Sequence, residues 1–237
     1  MGEHSAIQWT DNTWNPWMGC KKVSPGCKFC YSYRQQTAWG MDPTEIRRSK
    51  TKFYEPLKWR KPVKVFTCSW SDFFIEQADA WRDEAWEVIR KTPHLTYQIL
   101  TKRPQNIKDR LPDNWGSGWP NVWLGVSVEN EDYLWRVDAL RTVFAVVRFI
   151  SYEPALGQVD FTPYIRVIQW IISGGESKSP RSANLEWFRG VRDLCIQYGV
   201  AYFHKQNGGN RKIDEAYGGR KLDGKIWHQF PKIQKGK

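Results

Sequence analysis

From residue 63 onward the chain alternates short apolar runs with stretches of helical spacing. Residues 63–68, 95–100, 122–128, 146–151, 167–173 and 200–204 are near-continuous runs of Val, Ile, Leu and aromatic residues. Such runs suit strands covered on both faces rather than strands with one wet face. Between them, residues 79–91 place Trp81, Ala85, Val88 and Ile89 at helical spacing. Residues 132–143 align Leu134, Val137 and Leu140, and residues 184–198 align Leu185, Phe188, Val191 and Leu194. Asn184 suits an N-cap and Gly199 a helix end. Residues 31–39 predict an earlier helix that stops at Gly40, and the aromatic stretch 9–17 predicts a first strand.

Strands alternating with helices pair in parallel through right-handed crossovers. The expected fold is therefore α/β: a single-domain (β/α) barrel, partial or complete, with parallel strands, spanning residues 1–237. A basic, Gly-rich extension begins at about residue 208, with Trp227 and Phe230 folding back as its anchor. A flat doubly wound sheet is the rival. The barrel is favoured because polar residues follow nearly every strand instead of gathering at one switch point.

Charge adds a partner to this picture. The net charge of +11 is concentrated in residues 47–64, which hold eight Lys/Arg and one Glu, and in residues 205–237, which hold nine against three acids. These blocks predict a surface for nucleic acid, or else a solvated basic face. Phe53, Tyr54 and Trp59 lie among the first block's cations, as base stacking requires, although they would equally serve by packing inward. No apolar run of membrane-spanning length and no leader peptide is expected. Five cysteines, an odd number with three clustered, argue against a disulfide framework and for a reducing, cytoplasmic setting.

The three clustered cysteines carry the clearest chemistry. Cys20, Cys27 and Cys30 fall within eleven residues, and Pro25-Gly26 turns the chain just before Cys27. A C-x-x-C pair and a third thiol can grip one metal or cluster and leave a coordination position open. Zinc, with His204 or His228 as fourth ligand, is the alternative occupant. Cys68 and Cys195 lie in apolar patterns and are expected as core thiols.

Several blocks then carry a resemblance: Asn15-Pro16-Trp17, Gly19-Cys20, Gly26-Cys27-Lys-Phe-Cys30-Tyr31, Ser69-Trp-Ser-Asp72, Leu100-Thr-Lys-Arg-Pro104, Gly125-Val-Ser-Val-Glu129, Ser151-Tyr-Glu-Pro154 and Gly174-Gly-Glu-Ser177. Together they resemble a phage-associated family of three-cysteine proteins of radical S-adenosylmethionine (SAM) type. The first cysteine gap here holds six residues, where the commonest radical-SAM spacing has three. The resemblance implies that Cys20, Cys27 and Cys30 hold three irons of a [4Fe–4S] cluster. It also implies that SAM binds the fourth iron and yields a 5′-deoxyadenosyl radical, with a reductant such as flavodoxin or ferredoxin.

By strand order, Ser71 or Asp72 would accept from the SAM amine, and Lys102 or Arg103 would pair with its carboxylate. Ser127 and Glu129 would hold the ribose, and Gly174 and Gly175 would admit the adenine to the backbone. Glu153 and Glu176 complete the strand-end set. The expected function is an enzyme acting on nucleic acid or a modified nucleotide, in DNA modification or repair. The alternative is a non-enzymatic, metal- or cluster-stapled nucleic-acid-binding protein.

Overall fold

The computed structural model describes residues 4–177, 181–209 and 219–232. The chain packs as two compact units, Met1–Gly125 with Thr142–Val146, and Val126–Arg141 with Val147–Lys237. In chain order the first unit holds β1 (Asn12–Trp14), α1 (Tyr31–Ala38), β2 (Lys64–Thr67), α2 (Asp79–Arg90) and β3 (Thr96–Thr101). Strand β4 (Val122–Ser127) begins in the first unit and ends in the second. The second unit continues with α3 (Trp135–Arg141), β5 (Val147–Tyr152), β6 (Trp170–Gly174), α4 (Leu185–Tyr198) and β7 (Ala201–Gln206).

Strand order follows chain order: β1-β2-β3-β4 in the first unit and β4-β5-β6-β7 in the second. Registers are parallel, with Val65 opposite Asn12 and Tyr97, and Ile171 opposite Ile150 and Tyr202. The fold is thus α/β with a seven-stranded sheet, and no reversal of order creates a switch point, which removes the doubly wound rival. Parallel strands bring their carboxyl ends to one side of the sheet, so the loops after β1, β2 and β3 converge in the first unit. Among the described residues no helix is long and apolar enough to cross a membrane.

In the first unit Trp14, Val65, Tyr97 and Ile99 are fully buried, and α2 covers them with Ala85, Trp86, Val88 and Ile89. Helix α2 buries Ala85, Val88 and Ile89 of the expected stripe and adds Arg82 and Trp86, while Trp81 stays half-exposed. The reason lies in the loop before it. Arg82 donates from Nε to the Phe73 carbonyl at 3.0 Å and also binds the Ile75 carbonyl and Asp79, so a cation satisfies backbone groups that no helix reaches.

In the second unit Phe149, Ile150, Trp170, Ile171 and Ile172 are sealed by Val137 and Leu140 of α3 and by Phe188, Val191 and Cys195 of α4. Helix α4 starts and stops as expected: Asn184 accepts from the Glu186 N–H at 2.9 Å, and Gly199 ends it at φ 67°. Helix α3 is shorter than its apolar pattern, because residues Glu131–Tyr133 form a 3-10 turn first. Strand β6 likewise starts late, after the 3-10 turn Ile165–Val167. Beyond β7, Trp227 lies 6.0 Å from the Tyr202 ring and Phe230 5.3 Å from Trp170, as an anchor should. Residues 210–218 and 233–237 of the basic extension lie outside the described residues.

Candidate functional site

The cysteine loop is the connection from β1 to α1. Its entry is pinned where the Gly19 N–H donates to the Trp70 carbonyl at 3.2 Å and the Cys20 N–H to the Pro43 carbonyl at 2.8 Å. Gly19 sits at φ 88°, and a Cβ there would lie 1.9 Å from the Glu45 carbonyl oxygen, so only glycine lets these segments meet. Pro25–Cys27 form one 3-10 turn, and Cys30 is the cap of α1. On the first turn of α1, Tyr33 donates its hydroxyl to the Cys20 carbonyl and ties the start of the loop to its end.

All three thiols lie within electrostatic reach of Tyr33. Burial first, then Cys20, Cys30 and Cys27, push the phenol up to about 12, with Arg103 opposing. Each of the three cysteines is half-buried and free of disulfide. Among the described residues no three His, Cys, Asp or Glu side chains close into a metal-holding group; the loop gathers its thiols around one phenol without bringing them that close.

The next two strand ends meet this loop. After β2, Asp72 is 4% exposed. Its Oδ1 accepts from the Thr101 hydroxyl at 2.7 Å and the Phe74 N–H at 3.0 Å, and its Oδ2 accepts from the Lys102 N–H at 2.9 Å. After β3, Arg103 extends Nη1 to Asp72 Oδ2 at 3.3 Å and to Cys20 Sγ at 3.8 Å, while Nη2 donates to the Lys21 carbonyl at 2.7 Å. One guanidinium thereby joins the loops that follow β1, β2 and β3. Burial opposes its charge, but Asp72 and Cys20 more than offset that and hold Arg103 above its ordinary value. Burial first, then Asp72, pushes the Cys20 thiol up to about 12, with Arg103 opposing. Cys20 is therefore a protonated thiol at neutral pH rather than a ready nucleophile, and an incoming metal has to displace its proton.

Ser71 gives its hydroxyl to the Gly19 carbonyl, and Asn15 bonds both Ser69 and the Trp70 N–H, at 3.0 and 2.9 Å. Asp72, Ser71 and Arg103 are thus engaged by the protein itself, where the sequence suggested hands for an amine and a carboxylate. Lys102 is half-exposed at the same strand end.

In the second unit a different polar cluster follows β5, β6 and β7. Glu153 Oε1 lies 3.0 Å from Lys205 Nζ, and Glu153 Oε2 accepts from the Ser151 hydroxyl at 3.3 Å. A Cβ on Gly174 would stand 2.6 Å from Glu153 Oε1, and one on Gly175 would stand 2.1 Å from the Asn207 carbonyl oxygen. The space freed by the glycine pair is therefore filled by the chain's own carboxylate and backbone rather than left for a base. Glu176 is clasped by Arg181, whose Nε donates at 2.7 Å. Glu129 is fully buried and paired at 2.7 Å with Arg136, which also bonds the Ser127 carbonyl at 2.9 Å. His204 has both ring nitrogens engaged, by Ser173 at 2.9 Å and Asn207 at 2.8 Å, so its ring offers no position to a metal.

Sequence reasoning passed over Tyr33, Arg136 and Asn207. Tyr33 and Asn207 carry no pattern of their own, and Arg136 sits in a helix where a surface charge is the ordinary expectation.

The basic block 47–64 departs from the base-stacking picture. Phe53 and Trp59 are buried and only Tyr54 is exposed. Arg48 covers the Phe53 ring at 4.1 Å and pairs with Glu84 at 2.7 Å; Lys52 pairs with Glu55, and Lys64 with Asp11. Large apolar rings gain more from the core than from solvent, and half of the cations are neutralised locally.

Compared with known proteins, the chain belongs to the family described as a protein of unknown function (DUF5131), which it matches over residues 4–231. No curated protein and no solved structure matches it.

Proposed function

We propose that the chain is a radical-SAM-type enzyme in which Cys20, Cys27 and Cys30 hold a [4Fe–4S] cluster and SAM is the cosubstrate. The substrate in this reading is nucleic acid or a modified nucleotide. The supporting observation is the convergence in the first unit. The three-thiol loop after β1 meets, where Cys20 faces Arg103 and Arg103 faces Asp72, the ends of β2 and β3. Carboxyl ends of parallel strands are where barrel enzymes carry their chemistry, and this reading takes the strands as those of a partial (β/α) barrel.

The donor set suits the group. Three thiolates leave one iron open to a further ligand, and soft sulfur selects iron–sulfur or zinc over hard cations. When bound, the cluster and SAM supply one-electron chemistry that removes a hydrogen atom from the substrate. Arg103 stabilises the Cys20 thiolate through its N–H and is itself aimed by Asp72. Tyr33 holds the two ends of the loop together. Lys102 is the cation for the SAM carboxylate. In the second unit, Lys205 pairs with the Glu153 carboxylate at 3.0 Å and fixes its position. The electron comes from an acidic reductant such as flavodoxin or ferredoxin, in a reducing, cytoplasmic setting.

Anaerobic purification with iron and sulfide analysis, followed by EPR of the reduced protein with and without SAM, tests this. About four irons per chain and a spectrum that changes on adding SAM are expected. Zinc, or a cluster blind to SAM, would overturn it in favour of a metal-stapled nucleic-acid-binding protein.

A further inference from the structure

The cysteine loop and α1 form a long stretch of the chain with cations and no acid among them. From Asn12 to Met41 there is no Asp or Glu, whereas Lys21, Lys22, Lys28 and Arg34 are all present and all exposed. Elsewhere in the first unit several cations pair with carboxylates, as at Arg48, Lys52 and Lys64, while Lys50, Lys58, Arg60 and Lys61 stand exposed in the neighbouring basic block. Of the acids around the loop, the exposed Asp42 accepts from Thr44, and three others are engaged. Asp72 is buried against Arg103, Glu76 bonds Asn106 at 2.7 Å, and Glu45 pairs with Arg47 at 3.0 Å.

The same surface exposes rings that are held rigid. Trp39 is 55% exposed and Tyr31 40%. The exposed Trp39 ring rests against the buried Trp70 ring, with centroids 4.6 Å apart and planes tilted by 40°. The Tyr31 hydroxyl is spent on the Ser69 carbonyl at 2.7 Å, so what it offers solvent is its ring. Both side chains are tied to the one Ser69-Trp70 turn. Lys22 leans over Tyr33 at 4.7 Å and Lys28 over Phe29 at 5.4 Å, which places both ammonium groups at the rim of the thiol loop.

We propose that this surface, the cysteine loop with the outer face of α1, binds single-stranded nucleic acid. Lys21, Lys22, Lys28 and Arg34 face the phosphates, and Trp39 and Tyr31 take unpaired bases. The argument for this occupant is complementarity of two kinds. A polyanion satisfies four cations that no acid on their own segment neutralises, and pre-ordered ring faces suit bases, which offer a π-face in every sequence. An acidic protein would use the cations but has no use for two immobilised ring faces. A duplex keeps its bases stacked internally and could not reach the rings. The inference deepens the substrate half of the proposed function and does not depend on the cluster, since phosphate and stacking contacts need no metal.

The test is fluorescence anisotropy of the full chain with a fluorescein-labelled single-stranded DNA of mixed sequence, across a salt series, in metal-free and iron-loaded protein. The triple variant Lys21→Glu, Lys22→Glu, Lys28→Glu is expected to weaken binding by more than about tenfold and to flatten the slope of log K against log salt by roughly 2. Trp39→Ala is expected to weaken binding about tenfold with the slope unchanged, because stacking releases no counterions. The control Lys58→Glu, Lys61→Glu should have a small effect. Circular dichroism and the melting temperature establish that each variant is folded.

Unchanged affinity in the triple variant, or loss only in the control, would overturn the proposal. So would displacement of the oligonucleotide by poly-glutamate with Trp39→Ala silent, an outcome that assigns the face to acidic polypeptide. Loss of binding in these variants alongside normal iron and SAM signals would separate the two readings. So would normal binding in a protein that fails the SAM test.

Discussion

Arg103 shows how one side chain can organise a site. Its guanidinium, itself after β3, serves a carboxylate, a carbonyl and a sulfur from two other loops while 4% exposed. A planar fork of donors does this and a lysine ammonium does not. Arg103→Ala strands Asp72 in the interior without its cation. Three neutral donors still serve that carboxylate, so the expected cost is about 3 kcal/mol, the low end for breaking a buried pair. Urea unfolding measures it, and Arg103→Lys should recover only part of the loss. His204 makes a prediction of opposite character. Burial holds its pKa below the ordinary imidazole value, against a smaller opposing pull from Asn207. The folded state therefore keeps the ring neutral, while the unfolded chain binds a proton below about pH 6.5. The stability this contributes is present above that pH and is lost as pH falls through it. Unfolding free energy should fall by at most about 1.4 kcal/mol per pH unit there, and His204→Gln should abolish that component of the slope.

Among the elements, α4 and the β6 terminus give glycines opposite meanings. Gly190 lies within α4 with open space where a Cβ would stand. Gly190→Ala should stabilise the protein by about 1 kcal/mol by restricting the unfolded chain and favouring the helix. Gly175 follows β6 and has the Asn207 carbonyl oxygen in the place of a Cβ. Gly175→Ala should cost about 3 kcal/mol or more, because backbone on both sides has to move. Melting temperatures of the two variants relative to the wild type decide the matter: equal shifts, or shifts in the other direction, would contradict this account. Sequence reasoning gave Gly175 to an adenine and did not single out Gly190. It located α4 to the residue because cap, apolar stripe and stop coincide there. On α2 it found Ala85, Val88 and Ile89 of the buried face but not Arg82, which no apolar pattern marks.

For the whole molecule, the question is whether the fold depends on the metal. Both units bury large apolar cores away from the cysteine loop, with Trp14, Val65 and Ile99 in one and Trp170, Ile172 and Tyr202 in the other. A small metal-stapled domain lacks such cores and unfolds when its ion is removed. Cys27→Ala is therefore expected to keep the wild-type circular dichroism and cooperative unfolding while losing bound iron. Global unfolding of that variant would mark the cysteines as a structural staple.

The sequence by itself determined the strand-and-helix alternation, the clustering of three thiols, the buried thiols of Cys68 and Cys195, and the start and stop of α4. Each rests on residues close together in the chain, where spacing and capping act locally. Only the tertiary structure decided which partners the polar strand ends choose. It placed Arg103 on Cys20, filled the space beside Gly174 and Gly175 with Glu153 and Asn207, and buried Phe53 and Trp59 of the basic block. It also left Tyr31 and Trp39 exposed beside an acid-free loop. Those outcomes depend on contacts between residues far apart in sequence. There the cost of burying an unpaired charge or carbonyl outweighs local preference, and no local pattern records which distant group supplies the partner.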